Sequence, residues 1–134
     1  MLKAFPSHVP HISNKTFVIA GILTTVYGLD ELSSLATDIT CLWLHHGRTQ
    51  DQSVMTPIAA LTISDWNSKV QRGEGHPSKG LIAVSFDQRN HGSRMVNSLS
   101  NEAWRVGNPT HAQDMFSIYS LYYQQLCAKV FIAN

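Results

Sequence analysis

A chain of 134 residues that is 43% hydrophobic has the length of one domain and enough apolar material for a core, which excludes a disordered polypeptide. Its formal net charge of +1 excludes the strongly basic surface needed for electrostatic binding to nucleic acid or to an anionic membrane. The longest apolar stretch, residues 17–29, is shorter than the roughly 20 residues that span a bilayer.

Cysteine usage and the N-terminal residues both predict a cytoplasmic protein. The first fifteen residues contain two prolines and two histidines and lack the apolar centre of a secretory signal. The chain has two cysteines, Cys41 and Cys127, each in an apolar run, which indicates buried reduced thiols rather than a disulfide framework. We therefore expect a cytoplasmic protein without a membrane span.

Two strand-like segments follow an irregular lead-in over about residues 1–15. Residues 16–29 are rich in β-branched and aromatic residues, and Gly21 leaves open whether they form one bent strand or a hairpin. Residues 38–47 contain a short apolar run, residues 39–44, which fits a strand buried on both faces.

The first predicted helix begins at Thr56-Pro57, where a cap residue precedes a first-turn proline. Apolar residues then recur at steps of three and four, which places five of them on one face: Met55, Ala59, Ile63, Trp66 and Val70. The helix ends in a loop rich in glycine, residues 71–80.

A second buried strand and a second amphipathic helix complete the pattern. Residues 80–87 form another apolar run that closes on a polar turn. Thr110 and Gln113 form a capping box, and the helix after it presents a regular apolar face: Ala112, Met115, Tyr119, Tyr122 and Leu126. This alternation predicts an α/β fold, a mostly parallel sheet flanked by helices on both faces.

The first of two polar turns, HHGRTQ, follows the carboxyl end of a strand, the edge at which open α/β sheets bind ligands. Its His46-Gly47 pair resembles the loop between the third strand and the first helix of α/β-hydrolases, although glycine here could simply terminate a strand. In that family a backbone N–H of this loop donates to the oxyanion of the tetrahedral intermediate. The resemblance makes the N–H of Arg48 the candidate oxyanion-hole donor, with Gly47 shaping the loop.

The second turn, FDQRNHGSR, resembles the D-x-R-x-H-G-x-S turn that follows the fourth strand in many α/β-hydrolases. Four residues occupy matching places: Asp87, Arg89, His91 and Gly92. Asn90 stands where the family usually has glycine and also tolerates positive φ, whereas Arg94 replaces the family's serine and Ser93 lies one place earlier. We expect a structural turn beside the pocket, with Asp87 accepting backbone N–H groups and pairing with Arg89, rather than a proton-transfer site.

Together the two turns occur in the order that the family requires, separated by a helix and a loop. The wider run from residue 80 to residue 119 is also similar to a group of fungal α/β-hydrolases, so the resemblance covers residues 16–119. It implies that residues 1–134 form a single domain, the N-terminal portion of a serine hydrolase-like domain. The fold is then partial and truncated at the C-terminus, since residues 120–134 diverge from the family.

The motif for a serine nucleophile is missing. A serine hydrolase places this residue on a G-x-S-x-G turn, followed along the chain by an acid and a histidine. No G-x-S-x-G occurs in the 134 residues, and GHPSKG (residues 75–80) spaces Ser78 wrongly. We therefore assign no catalytic residue to this chain and expect the complete protein to hydrolyse a small-molecule ester or acyl substrate.

Four histidines raise the alternative of a metal site: His45, His46, His91 and His111. Their spacing argues against it, because H-x-x-x-H and C-x-x-C are absent and adjacent histidines on a strand point to opposite faces. We expect no metal and, without a G-x-G-x-x-G fingerprint, no cofactor. The alternative function is a non-catalytic α/β fragment that binds a partner, or itself, through an exposed sheet edge.

Overall fold

The structure is a computed structural model, and it describes residues 8–96 and Ser98. Its strands are β1 (Asn14–Ile19), β2 (Ile22–Tyr27), β3 (Asp38–Leu44) and β4 (Lys79–Phe86), and its helix is α1 (Thr56–Gln71). Short 3₁₀ turns cover Gln52–Met55 and Gly92–Arg94. The helix predicted from Thr110, the capping box with Gln113 and the divergent tail lie outside the described residues.

Residues 16–29 belong to a hairpin, which decides the alternative that the sequence left open. β1 and β2 pair antiparallel, with Ile19 opposite Ile22. Ala20 and Gly21 form the turn between them with φ values of 50° and 79°. Two consecutive residues with positive φ are the mark of the type I′ turn, whose twist matches that of the flanking strands.

The four strands lie in the order β1-β2-β4-β3, and the sheet is mixed. β3 and β4 are parallel, but β2 pairs antiparallel with both β1 and β4. The prediction of a mostly parallel sheet is therefore wrong for the described part. The reason lies in the connections: a two-residue turn can join only antiparallel strands, whereas the segment carrying α1 is long enough for a parallel crossover.

Burial differs between the two strands that were expected to be buried on both faces. β4 lies between β2 and β3, and its Ile82, Ala83 and Val84 are at most 1% exposed, as predicted. β3 is the last strand of the described sheet, and most of its residues, including Cys41, are only half-buried. A short apolar run does not distinguish a central strand from one at the sheet's edge, and the prediction for β3 is wrong.

Helix α1 begins where the sequence predicted, with Pro57 in its first turn, but Thr56 is not its cap. A 3₁₀ turn runs directly into the helix, and Asp51 caps that turn by accepting the N–H of Ser53. The Thr56 hydroxyl instead lies 3.1 Å from the Tyr27 hydroxyl. This hydrogen bond ties the helix start to the sheet.

The two faces of the sheet contribute to two apolar clusters, because neighbouring residues of a strand point to opposite sides. On one face α1 packs through Ala59, Ala60 and Ile63 against Tyr27 and Ala83. Trp66 and Val70, predicted for the same helix face, are half-buried. The second cluster contains other strand residues: Ile19, Val26, Ile82, Val84 and Phe86. None of the helices in the described part of the chain has the length and apolarity to cross a membrane.

Candidate functional site

The two polar turns lie at the same rim of the sheet. β3 and β4 are parallel neighbours with Leu44 opposite Ser85, so the segments that follow these strands leave the sheet side by side. The first turn leads through the 3₁₀ turn into α1, and α1 leads back to β4. The expectation that adjacent parallel strands carry both turns to one rim, with a helix between them, is confirmed.

His46 joins the two turns and is buried, with no exposed side-chain surface. Its Nε2 accepts the backbone N–H of Gln88 at 3.0 Å, and its Nδ1 lies 2.8 Å from the carbonyl oxygen of Gly47. A carbonyl can only accept, so these partners assign the proton to Nδ1 and a neutral ring. The Gln88 side chain completes the pair by donating to the His46 carbonyl at 2.9 Å.

The neutral ring also defines the contact between His46 and Asp87. Nε2 lies 3.8 Å from Asp87 Oδ1, which would be an ion pair only with a protonated imidazole. Since Nε2 already accepts a hydrogen bond from Gln88, this is an approach of two acceptors and not an ion pair. His46 is therefore a structural link across the rim in this arrangement.

Asp87 is the second link, because its buried carboxylate receives three hydrogen bonds from two segments. Oδ1 accepts the N–H of Gln52 at 2.7 Å, at the entry to α1. Oδ2 accepts both the N–H and the hydroxyl of Ser93, each at 2.7 Å. Backbone N–H groups were expected as donors, and they are among these contacts. The expected pairing of Asp87 with Arg89, which is exposed, is replaced by these three hydrogen bonds.

Positive backbone angles shape the rest of the second turn. Asn90 has φ of 60°, which agrees with its position in place of a glycine, and its side chain accepts the N–H of Val96 at 2.9 Å. Gly92 has φ of 48°, and a Cβ there would overlap the Asp87 carboxylate. Glycine is required because the chain approaches that carboxylate too closely for a side chain.

The remaining residues of this turn hold it in place. His91 is buried, its Nδ1 lies 2.9 Å from the carbonyl oxygen of Arg89, and its ring centre lies 5.2 Å from that of His46. Arg94, which stands where the turn that this segment resembles has a serine, donates through Nη1 to the Asp87 carbonyl at 3.0 Å. Ser93, displaced by one place, still reaches the Asp87 carboxylate.

Some peptide groups of the first turn form hydrogen bonds within the described chain and others do not. The Gly47 N–H donates to the Gln50 side chain at 3.0 Å, and the Gly47 carbonyl accepts from Gln50 N and lies against His46. Within residues 8–96, the backbone N–H of Arg48 donates no hydrogen bond, and the same holds for Thr49, which is exposed. Arg48 is half-buried and thus is the more sheltered of these two donors.

Three glutamines at this rim were not identified from the sequence. The Gln50 side chain accepts the N–H of Gly47, the backbone N–H of Gln52 donates to Asp87, and the Gln88 side chain donates to the His46 carbonyl. Gln88 occupies a variable position of the turn motif, so the motif gave no signal for it. Gln50 could have been suspected as a polar residue between the loop glycine and the helix start, whereas the backbone contact of Gln52 does not depend on its side chain.

The rim of the described chain contains hydrogen-bond donors but no cluster of metal-binding side chains. Both ring nitrogens of His46 are engaged in hydrogen bonds. Over residues 8–96 and Ser98, no three or more side chains of His, Cys, Asp or Glu are grouped closely enough to hold a metal ion. The arrangement can therefore polarise or orient a bound group. The fourth histidine considered as a metal ligand, His111, lies outside the described residues.

His45 gives this protein a predicted pH dependence of stability. Burial lowers the pKa of its imidazole from the ordinary value of 6.5, and the proximity of His46 adds to the effect. The ring packs edge-on against Phe86, with centroids 5.5 Å apart. Because the unfolded chain binds a proton more readily, stability is full above about pH 6.5 and decreases as the pH falls below that value.

We expect this decrease to be smaller in a His45→Asn variant. Urea unfolding at a series of pH values on either side of 6.5 measures the slope in both proteins. A variant that loses as much stability on acidification as the parent would show that other groups cause the effect.

Comparisons with known proteins do not assign this chain to a family. No family model and no curated protein match it. It is similar to the crystal structure of TT1662 from Thermus thermophilus, with 13% identity and a TM-score of 0.42 over 87% of this chain. The chain spans 38% of the length of that structure's chain. The functional conclusion therefore rests on the geometry of the rim.

Proposed function

We propose that these residues are the N-terminal part of an α/β-hydrolase that cleaves ester or acyl bonds. We further propose that they supply one backbone donor of its oxyanion hole. The single observation that carries the proposal is the parallel β3–β4 pair, which brings both motif turns to one rim. The turns also follow the third and the fourth strand and flank the first helix, the places that the resemblance assigns to them. The similarity to fungal members of the family belongs to the same proposal.

In the proposed mechanism, the unengaged N–H of Arg48 donates to the oxygen of the reacting carbonyl as negative charge develops on it. Gly47 leaves room for the substrate, and its own peptide group is occupied by Gln50 and His46. A serine on a G-x-S-x-G turn outside these residues attacks the carbonyl, and the N–H after that serine is the second donor. Asp87 and His46 position the donor loop and do not exchange protons with substrate.

The gene provides the decisive test of this proposal. We expect DNA downstream of the codon for Tyr119 to encode a G-x-S-x-G motif in one of its frames. The protein that joins it to these residues should hydrolyse p-nitrophenyl acyl esters and be labelled by a fluorophosphonate at that serine. The 134-residue chain by itself should remain unlabelled, and stoichiometric labelling of any of its serines would contradict the missing nucleophile.

A second candidate function, self-association without catalysis, has one specific observation in its favour. Val18 and Leu23 face each other across the outer hairpin and are 68% and 46% exposed. An exposed apolar pair that includes a residue of the outer strand β1 favours contact with a second copy. Sedimentation of the chain and of a Val18→Thr, Leu23→Thr variant tests it, since association through this pair predicts a dimer that the variant loses.

The cytoplasmic location expected from the sequence stays a prediction.

A further inference from the structure

In the part of the chain that the structure describes, the Arg48 guanidinium has a buried donor atom without a hydrogen-bond partner. Its Nη1 atom is buried and has no hydrogen-bond acceptor among residues 8–96 and Ser98. Three ion pairs connect residues of the described chain, and Arg48 takes part in none of them. A guanidinium remains protonated in proteins, so its charge persists in this sheltered position. Burying a donor of this kind without an acceptor is unfavourable, which indicates that an acceptor arrives from outside the described residues.

The neighbouring acidic groups are already engaged. Asp51, three residues along the chain, accepts from both the N–H and the hydroxyl of Ser53. Asp87 accepts from Gln52 and Ser93. The loop therefore offers Arg48 no acidic side chain that is not committed to another contact.

We propose that the Arg48 guanidinium binds a carboxylate or phosphate group, so that the substrate of this site is an ester bearing a negatively charged substituent. A guanidinium presents paired N–H donors whose geometry matches the oxygens of either group. The same residue provides the unengaged backbone N–H, which places the anion site beside the donor for the reacting carbonyl. The proposal deepens the proposed function, on which its substrate class rests.

Anion binding to the 134-residue chain tests the proposal without requiring turnover. Succinate and inorganic phosphate are titrated separately while the ¹⁵N resonances of the arginine side chains are followed by NMR. We expect millimolar binding of at least one of them at Arg48, weakened about tenfold or more in Arg48→Gln, which removes a charged hydrogen-bond donor. Arg72→Gln is the matched control, because Arg72 is exposed and paired with Glu74, and binding should be unchanged in it.

The outcomes separate this inference from the proposed function. Preference for succinate assigns a carboxylate, and preference for phosphate assigns a phosphoryl group. Equal binding by Arg48→Gln, or no binding of either anion by the parent chain, overturns the anion site. An active longer protein that cleaves neutral and acidic esters equally well would overturn the anion site while leaving the hydrolase proposal intact.

Discussion

Replacing Asp87 with alanine is expected to lower the free energy of unfolding by about 3 kcal/mol, because a charge-assisted acceptor shared by two segments is lost. The substitution leaves the N–H of Gln52 and the N–H and hydroxyl of Ser93 without their acceptor. The first of these donors lies at the entry to α1 and the other two in the second turn. Chemical denaturation followed by circular dichroism measures the loss.

Two further variants make this result specific to the rim. Asp87→Asn keeps the shape of the side chain but replaces one acceptor oxygen with an NH₂ group, which then faces another donor. We therefore expect a loss of unfolding free energy between those of the other two variants. Asp65→Ala removes an exposed carboxylate whose partner is Lys69 one helical turn away, and should cost only about 0.5 kcal/mol. Similar losses for Asp87→Ala and Asp65→Ala would mean that the Asp87 contacts contribute nothing distinctive.

Replacing Arg48 with proline is expected to lower kcat for a neutral ester about 100- to 1,000-fold in the protein that joins these residues to a serine nucleophile. Proline has no backbone N–H, so the substitution removes the proposed donor to the oxyanion. The donor acts when charge develops on the substrate oxygen, and for that reason KM should change much less than kcat. Steady-state hydrolysis of p-nitrophenyl butyrate separates the two parameters.

Arg48→Ala is the control, because alanine keeps the backbone N–H and removes the guanidinium. It should retain kcat for the neutral ester while losing affinity for acidic ones. Thermal unfolding of both variants establishes that the loop is still folded. Equal loss of kcat in Arg48→Ala and Arg48→Pro would show that the side chain, not the peptide group, is responsible.

The sequence predicted those features that depend on local pattern. The apolar run of residues 80–87 and the proline at position 57 indicated β4 and the start of α1, and both are confirmed. The parallel β3–α1–β4 unit followed from the alternation of elements. Asn90 was correctly interpreted as a residue tolerant of positive φ.

Features that depend on strand pairing could not be predicted in the same way. The hairpin of β1 and β2 turns on Ala20, a residue that rarely adopts positive φ and therefore gave no turn signal. The position of β3 as the last strand of the described sheet is a property of strand order, which its own residues do not encode.

The partners of Asp87 illustrate the same limit within the site. Arg89 is near in sequence, and an ion pair with it was the natural expectation. The carboxylate instead accepts from Gln52, 35 residues away, because the parallel crossover returns the chain to that point. Likewise, Gln88 reaches His46 across 42 residues. Hydrogen bonds between segments distant in sequence follow from the fold and are not visible in a motif.

The short loop that carries Arg48 is anchored on both sides of that residue. At the beginning of the loop, the His46 ring accepts the N–H of Gln88, which follows β4. At its end, the N–H of Gln52 donates to Asp87, the residue directly after β4. Ordering of this loop is thus part of folding, and a ligand that reaches the peptide group of Arg48 would meet a preorganised donor. Specificity at such a corner would then come from the shape and charge of what fits against it, rather than from a closing movement of the loop.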